Sequence, residues 1–484
     1  MTKKNNVRNN SIKYEGIYRI FRERRDGRNT AMIIFYTNDR KTAYNVLLGA
    51  LDKEKISKYI DIYMLDGDYF IKGNKLEELY FLVSDITWKY NKAIFLMGFF
   101  TTDFVQNYNF YKGIMKLKEK SNVMFIAGGP HPSGDPIGTL LFGFDVVFIG
   151  EAEASLVDFV YRFINDEDYF SVKGISYIDH EQEKIIFTGR SMPVKLNDYP
   201  PYAPRRKLFN PIEITRGCPY MCRFCQTPFI FGAKIRHRSI ESILKWSEFM
   251  AKHGRRDIRF ITPNALSYGS ETGLKPNYTA VQDLIINLYN LINRRYQGRI
   301  FYGSFPSEMR PEFIEYEILR FLKRYVSNKR IIVGMQSGSD RVLKLIKRGH
   351  SVEEALNAVQ IALDTGFRVE VDFIFGFPFE TEDDYNETLR VIRKITDLGA
   401  IVHAHTFLPL PGTPLGDLNI KPLPYNFKRE LTKLIGRRKL YGAWEKQERL
   451  ALLINKFKIK GIIKSTRTNY QLLAKGEIPL ARAQ

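Results

Sequence analysis

A chain of 484 residues, 44% hydrophobic and 14% aromatic, is long enough to bury two or three cores, because single domains usually hold about 100 to 200 residues. Its 74 Lys and Arg against 53 Asp and Glu leave a formal charge of +21 at pH 7, which suits nucleic acid, anionic membrane or phosphorylated small molecules as partners and equally suits a solvated basic surface. All three cysteines of the chain lie between Cys218 and Cys225, so a disulfide scaffold is excluded.

The start MTKKNNVRNNSIKYEG is polar and lacks the apolar core of a signal peptide, and no apolar run approaches the roughly 20 residues that span a bilayer. Residues 1–27 are expected to be a basic leader, and the protein is expected to be cytoplasmic.

From Ala31 the chain alternates short apolar runs with helical patterns: AMIIFYTND, a helix from Thr42 to about Lys58, then IDIYMLD, KAIFLMGFF, NVMFIAGG and DVVFIG. Ile-, Val- and Phe-rich strands separated by helices predict a doubly wound parallel sheet, a Rossmann-like α/β domain over residues 28–165. Ligands of such sheets sit at the carboxyl ends of the strands. Here those ends carry Thr37-Asn38-Asp39, the stretch Gly98 to Thr102 with Thr101, Gly128-Gly129-Pro130-His131-Pro132 and Gly150-Glu151-Ala152-Glu153. Residues 166–205 read as a hairpin turning between Asp179 and Lys184, followed by a proline-rich linker.

A second series begins at PIEITRG and continues through DIRFITPN, RIFYGSF, RIIVGMQSGS, RVEVDFIFGFP and IVHAHTFLPLPG, with helical spacing such as Ile240, Ile243 and Leu244 between them. Six strand–helix repeats predict a partial TIM-type (β/α)6 barrel over residues 206–415. Residues 416–484 follow as a basic, aromatic-studded helical region.

The thiols of Cys218, Cys222 and Cys225 are spaced CxxxCxxC directly after a predicted strand. A [4Fe-4S] cluster normally takes four thiolates, so with no fourth cysteine one iron keeps an open site for an outside ligand. The competing ligand set is structural zinc, which wants four closed ligands and for which His237 is an available fourth.

With Phe224 before the third cysteine, at the end of a first barrel strand, this pattern resembles the radical S-adenosylmethionine (SAM) superfamily over about residues 206–415. The resemblance implies that Cys218, Cys222 and Cys225 hold the cluster. It implies further that the amino and carboxylate groups of SAM chelate the open iron, and that one electron cleaves SAM to methionine and a 5'-deoxyadenosyl radical. It places the Phe224 backbone against adenine and Ser304 near the ribose, with Glu308 and Arg310 close behind. Gln336 and Ser337 fall at the end of the fifth strand, and Asp372 with Gly376-Phe377-Pro378 matches the sixth. The usual GGE-like motif of the second strand is absent, and Asn264 in Ile261-Thr262-Pro263-Asn264 is the expected substitute. Glu380 and Thr381 read as helix-start residues.

The first domain resembles the cobalamin-binding modules fused in front of many radical SAM domains. Thr37, Thr101, Gly128, Gly129, Pro130 and Glu151 are the implied cofactor contacts, since glycines without side chains let a bulky corrin approach the backbone. The DxHxxG motif of modules that ligate cobalt from below is missing: Asp39 to Tyr44 contains no histidine. His131 reads as a surface or loop residue, and Glu151 and Glu153 as either a bridge between domains or a helix start.

The resulting expectation is an enzyme that uses a [4Fe-4S] cluster, SAM and cobalamin to methylate an unactivated carbon of a small-molecule or lipid substrate, fed by a donor such as ferredoxin or flavodoxin. A ring-forming or carbon–carbon bond-forming radical enzyme is the first alternative. An RNA- or membrane-binding adaptor acting through the basic tail is the second; a tail helix pair packed across the barrel mouth is its structural rival.

Overall fold

The structure is a computed structural model that describes residues 18–21, 29–120, 122–464 and 476–483; most of the expected leader lies outside them. The first unit carries β1 Tyr18–Phe21, β2 Thr30–Tyr36, β3 Asp61–Asp66, β4 Lys92–Gly98, β5 Val123–Gly128, β6 Val146–Phe148, β7 Ile175–Asp179 and β8 Lys184–Phe187. Their order is β1-β3-β2-β4-β5-β6-β7-β8, closed by a last strand, Glu477–Pro479. Strands β2 to β6 run parallel, and β1, β7, β8 and the last strand are antiparallel to their neighbours.

Ile33 and Phe35 pack with Phe95 and Phe125 on one side of this sheet, and Met32 and Ile34 with Ile94 and Ile126 on the other. Burial of both faces is why these strands appear as unbroken apolar runs instead of alternating ones. The chain reverses its direction of winding between β2 and β4, which opens a crevice at their carboxyl ends.

The hairpin expected between the domains is instead continuous with this sheet, because β7 pairs with β6. Its edge is covered by the last strand, whose Ile478 lies opposite Ile185.

The second unit contains β9 Ile212–Glu213, β10 Thr215–Arg216, β11 Arg236–His237, β12 Asp257–Ile261, β13 Arg299–Phe301, β14 Arg330–Gln336, β15 Arg368–Phe375, β16 Ile401–Thr406 and β17 Leu440–Tyr441. β9, β12 and β13 form one parallel arc, and β14 to β17 another. The arcs are stitched by the segment 303–309: Ile332 donates its N–H to Gly303 O (3.0 Å), and Met309 donates to Ile332 O (2.8 Å). All six expected barrel strands are present, and β17 adds a further one.

β17 comes from the C-terminal region, as does the helix Trp444–Ile459. This helix enters three cores: Trp444 belongs to the barrel core, Leu450, Ile454 and Phe457 to the first-domain core, and Ala451 to a smaller cluster beside the cysteine loop. Phe457 meets Tyr108 edge-to-face at 5.0 Å. Its apolar face is thus used for packing between domains, and Lys458 donates to Gly416 O at 2.6 Å. Trp444 is 2% exposed, and Trp444→Ala is expected to remove about 3–5 kcal/mol of stability, measured as a fall in the urea midpoint; a change below about 1 kcal/mol would show that the helix does not join the cores.

Candidate functional site

The cysteine loop leaves β10 at Arg216. Gly217 sits at φ +88°, and a Cβ there would lie 2.3 Å from Lys234 O, so only glycine lets the loop pass beside its partner segment. Cys218 donates its N–H to Gly232 O and Cys225 to Cys222 O, both at 3.1 Å. Met221 between them adopts a left-handed φ of 53°. These constraints turn the thiols toward one cavity.

Cys222 is 5% exposed and faces two guanidinium groups: Arg310 Nη1 at 4.0 Å and Arg348 Nη1 at 3.9 Å from its sulfur. Arg310 stacks on the Tyr220 ring at 3.4 Å, and its Nε donates to Glu312. Arg348 donates to Glu308 and Gly334 O. Burial pushes the Cys218 thiol up and that of Cys225 to about 11. Bound metal would reverse that preference by holding the thiolate, and the two arginines place positive charge where an anionic metal–thiolate group would sit.

His237 is not free to complete a zinc site. Its Nδ1 pairs with Thr215 Oγ1 (2.9 Å) and its Nε2 with Ser270 O (2.8 Å).

The thiols open into the barrel lumen, a cavity of about 480 Å³ lined among others by Thr262, Glu308, Gln336, Asp372 and His405. Gln336 ends β14 at φ +75°, next to a register shift between Gly334 and Gln336. A non-glycine residue held there stores about 1–3 kcal/mol of strain, which is typical of residues aimed at a site. Its amide donates to Glu308 at 3.3 Å.

Asn264, Ser304 and Ser337 lie behind the lumen wall. Asn264 Oδ1 accepts from Leu266 and Arg310 N–H groups, and its main-chain oxygen from Thr262 and Ser267 hydroxyls. Asn264 therefore organises the turn after β12, while its Nδ2 is buried without a partner, as is Ser304 Oγ. Ser337 Oγ accepts from Ser339 N–H.

A second cavity, about 670 Å³, lies between the first-domain sheet and the barrel. Thr101, Gly128, Gly129, Pro130 and Glu151 all line it. Thr37 does not; its methyl packs where a Cβ on Gly67 would sit, at 2.8 Å. His131 is fully buried, contrary to a surface role: it stacks on Phe104 at 4.5 Å, pairs with Thr101 at 3.1 Å, and burial pushes its pKa down to about 3.

Two lining residues had no sequence signal beyond their position after a strand or cysteine. Arg40 lies over the Phe100 ring at 4.3 Å with its Nε buried and unpartnered. Gln226, next to Cys225, donates to Pro130 O (3.1 Å) and Pro411 O (2.8 Å), tying the cysteine loop to the Gly-Gly-Pro loop and to the loop after β16. A Cβ on Gly134 would be 2.3 Å from Pro411 O, so these loops meet closely.

Glu151 and Glu153 form the bridge between domains. Arg216 donates to Glu151 (2.8 Å), Glu153 (2.7 Å) and Glu213 (2.6 Å), and Arg236 also pairs with Glu151. The Glu151 carboxylate is thereby committed to protein partners, including the Val194 N–H. The two cavities share Phe224, Cys225, Thr227, Leu408 and Leu410 as wall, so ligands in each would be neighbours.

Residues 212–392 match the radical SAM superfamily. An uncharacterized protein of Methanocaldococcus jannaschii is 26% identical over 373 residues, covering 75% of this chain and 73% of that protein. A tRNA-2-methylthio-N(6)-dimethylallyladenosine synthase of Alkalilimnicola ehrlichii is 32% identical over 224 residues, 45% of this chain and 47% of that one. In fold, the chain is similar to the radical SAM methyltransferase TsrM of Kitasatospora setae, solved with cobalamin and a [4Fe-4S] cluster (TM-score 0.59, 14% identity, 80% of this chain and 77% of that one). It is also similar to the cobalamin-dependent SAM radical enzyme OxsB, solved with aqua-cobalamin (TM-score 0.59, 16% identity, 75% and 52%).

Proposed function

Because residues 212–392 place this chain among the radical SAM enzymes, we propose that it is a cobalamin-dependent methyltransferase acting on an unactivated carbon of a small-molecule or lipid substrate. The observation that carries this reading is the shared wall of Phe224, Cys225, Thr227, Leu408 and Leu410 between the lumen and the inter-domain cavity. It lets two cofactors act on one substrate atom.

The residues fit the groups. Three thiols without a fourth suit a cluster with one open iron, and Arg310 and Arg348 offset its charge. Glu308 and Gln336 would offer polar atoms to SAM in the lumen, and the Phe224 backbone would take its adenine; Asn264 shapes the wall behind. Gly128, where a Cβ would meet nothing nearer than 3.9 Å, leaves backbone that a corrin could approach, and Arg40, whose Nε is buried without a partner, lines the same cavity. When bound, the cluster supplies the electron that cleaves SAM, and cobalamin supplies a transferable methyl group. An external one-electron donor such as ferredoxin or flavodoxin completes the cycle.

Gly128 is the clean handle on the second cavity. A Cβ there meets nothing nearer than Phe148 Cβ at 3.9 Å, so Gly128→Leu fills cofactor space without backbone strain. It is expected to weaken cobalamin binding by about tenfold or more, one lost contact layer being worth roughly 1.5–3 kcal/mol, while SAM cleavage persists. Unchanged binding, measured by absorption of retained corrin, would move the cofactor elsewhere.

The activity is tested by anaerobic turnover with methyl-labelled SAM and a reductant on extracts lacking this protein, with and without cobalamin. Labelled product that requires cobalamin supports methyl transfer. Product without label, or equal product from cobalamin-free enzyme, favours the ring-forming reading.

A further inference from the structure

We infer that Asp372, His403 and His405 form a binding site for one divalent transition-metal ion, separate from the cysteine loop and opening on the same lumen. Among the described residues, this is the one set of three metal-binding side chains gathered within 4.8 Å.

Register builds it. Asp372 on β15 lies opposite His403 on β16, and His405, two residues on, projects to the same face of the strand. Asp372 Oδ1 is 2.9 Å from His403 Nδ1, which is 3.1 Å from His405 Nε2, and the third side of the triangle is 3.9 Å. Atoms so separated share an equidistant point about 2.0 Å from each, the length of a metal–nitrogen or metal–carboxylate bond.

Three lone-pair-bearing atoms this close oppose one another unless a proton or cation lies among them. Two imidazoles and one carboxylate with vacant positions suit Fe(II), Co(II), Ni(II) or Zn(II) more than calcium or magnesium. Asp372 and His405 line the lumen, so the vacant positions would take an oxygen donor of the substrate, a carboxylate, hydroxyl or phosphate. His403 is held from behind by stacking on Tyr441 at 4.6 Å.

The neighbour of His405 sharpens the test. Gln447 accepts the Thr406 N–H at Oε1 and turns its Nε2 to His405 Nδ1 at 3.2 Å. A metal on Nε2 puts the His405 proton on Nδ1, where an acceptor is preferred, so the Gln447 amide must turn over. A carboxylate at 447 serves both the Thr406 N–H and the Nδ1 proton.

The experiment uses the full chain, cluster-loaded and desalted anaerobically, titrated with Co(II) and followed by visible absorption and metal analysis. The wild type is expected to bind one Co(II) beyond the cluster iron. Asp372→Asn and His405→Ala are expected to bind at least about 100-fold more weakly, since loss of an outer-shell partner alone typically costs 10- to 100-fold, with unchanged cluster iron showing that they fold. Gln447→Glu is expected to bind about tenfold more tightly, and not when combined with His405→Ala. Absence of stoichiometric binding by the wild type, equal binding by Asp372→Asn and His405→Ala, or no gain in Gln447→Glu overturns the proposal. The inference stands independently of the cluster and of the methyl-transfer reading.

Discussion

Alanine at Cys218, Cys222 or Cys225 is expected to reduce deoxyadenosine formation from SAM by at least about 100-fold, because loss of an outer-shell partner alone typically costs 10- to 100-fold at a metal site and each of these residues is one of only three thiols. The loop itself should survive, since its shape is set by Gly217, by the Cys218 N–H to Gly232 bond and by the Arg223 N–H to Ile346 bond. Iron and sulfide content should fall with activity while helix content and the unfolding midpoint stay near the wild type. Deoxyadenosine at the wild-type rate from any of the three variants would remove the cysteine loop from the chemistry.

Arg216→Met is expected to lower stability by about 3–5 kcal/mol, the usual consequence of removing one partner from a buried ionic group. Arg216 is 6% exposed, and Glu151 and Glu153 are 8% and 5% exposed, so the loss strands carboxylates that water cannot reach. Burial raises the Glu153 pKa, but Arg216 more than offsets this and holds it below 4.5. A depressed carboxylate pKa contributes stability that is fully present above the unfolded value and lost as pH falls through the folded one. The gap between variant and wild type should therefore be widest near pH 7 and narrow below about pH 4.5. A denaturant series at pH 7 and pH 4 checks this; a gap below about 1 kcal/mol would mean that the domains are held by their apolar contacts alone, and a larger gap independent of pH would mean that Arg216 acts through packing and not through these carboxylates.

The first-domain sheet was legible in the sequence because its central strands are buried on both faces and form short apolar runs, and the barrel strands because short Ile-, Val- and Phe-rich runs recur between helical segments. The edges were not. β17 and Glu477–Pro479 pair with strands far away in the chain, and nothing local marks Leu440 or Ile478 as sheet residues. The hairpin around Asp179 was visible as a hairpin, but its docking beside β6 depends on long-range pairing.

The site divides in the same way. The cysteines and the Gly128-Gly129-Pro130 loop carry spacing or composition that survives without tertiary context. Arg40 and Gln226 do not, since each takes its meaning from a ring or carbonyl supplied by another loop. Asn264, Ser304 and Ser337 follow strand ends as the pattern requires, yet none of them lines the lumen. Asp372 and the pair His403 and His405 did leave a trace: polar residues two apart in an otherwise apolar strand share one face, although their convergence depends on the β15–β16 register.

The most direct measurement is electron paramagnetic resonance of the anaerobically reconstituted, dithionite-reduced protein before and after adding SAM, with deoxyadenosine and methionine quantified in the same sample. The account predicts about four sulfides per chain with four irons in the cluster, a reduced-cluster signal that changes when SAM is added, and deoxyadenosine and methionine in equal amounts. Zinc on the cysteines in place of iron and sulfide, or a cluster signal indifferent to SAM with neither product formed, would contradict it.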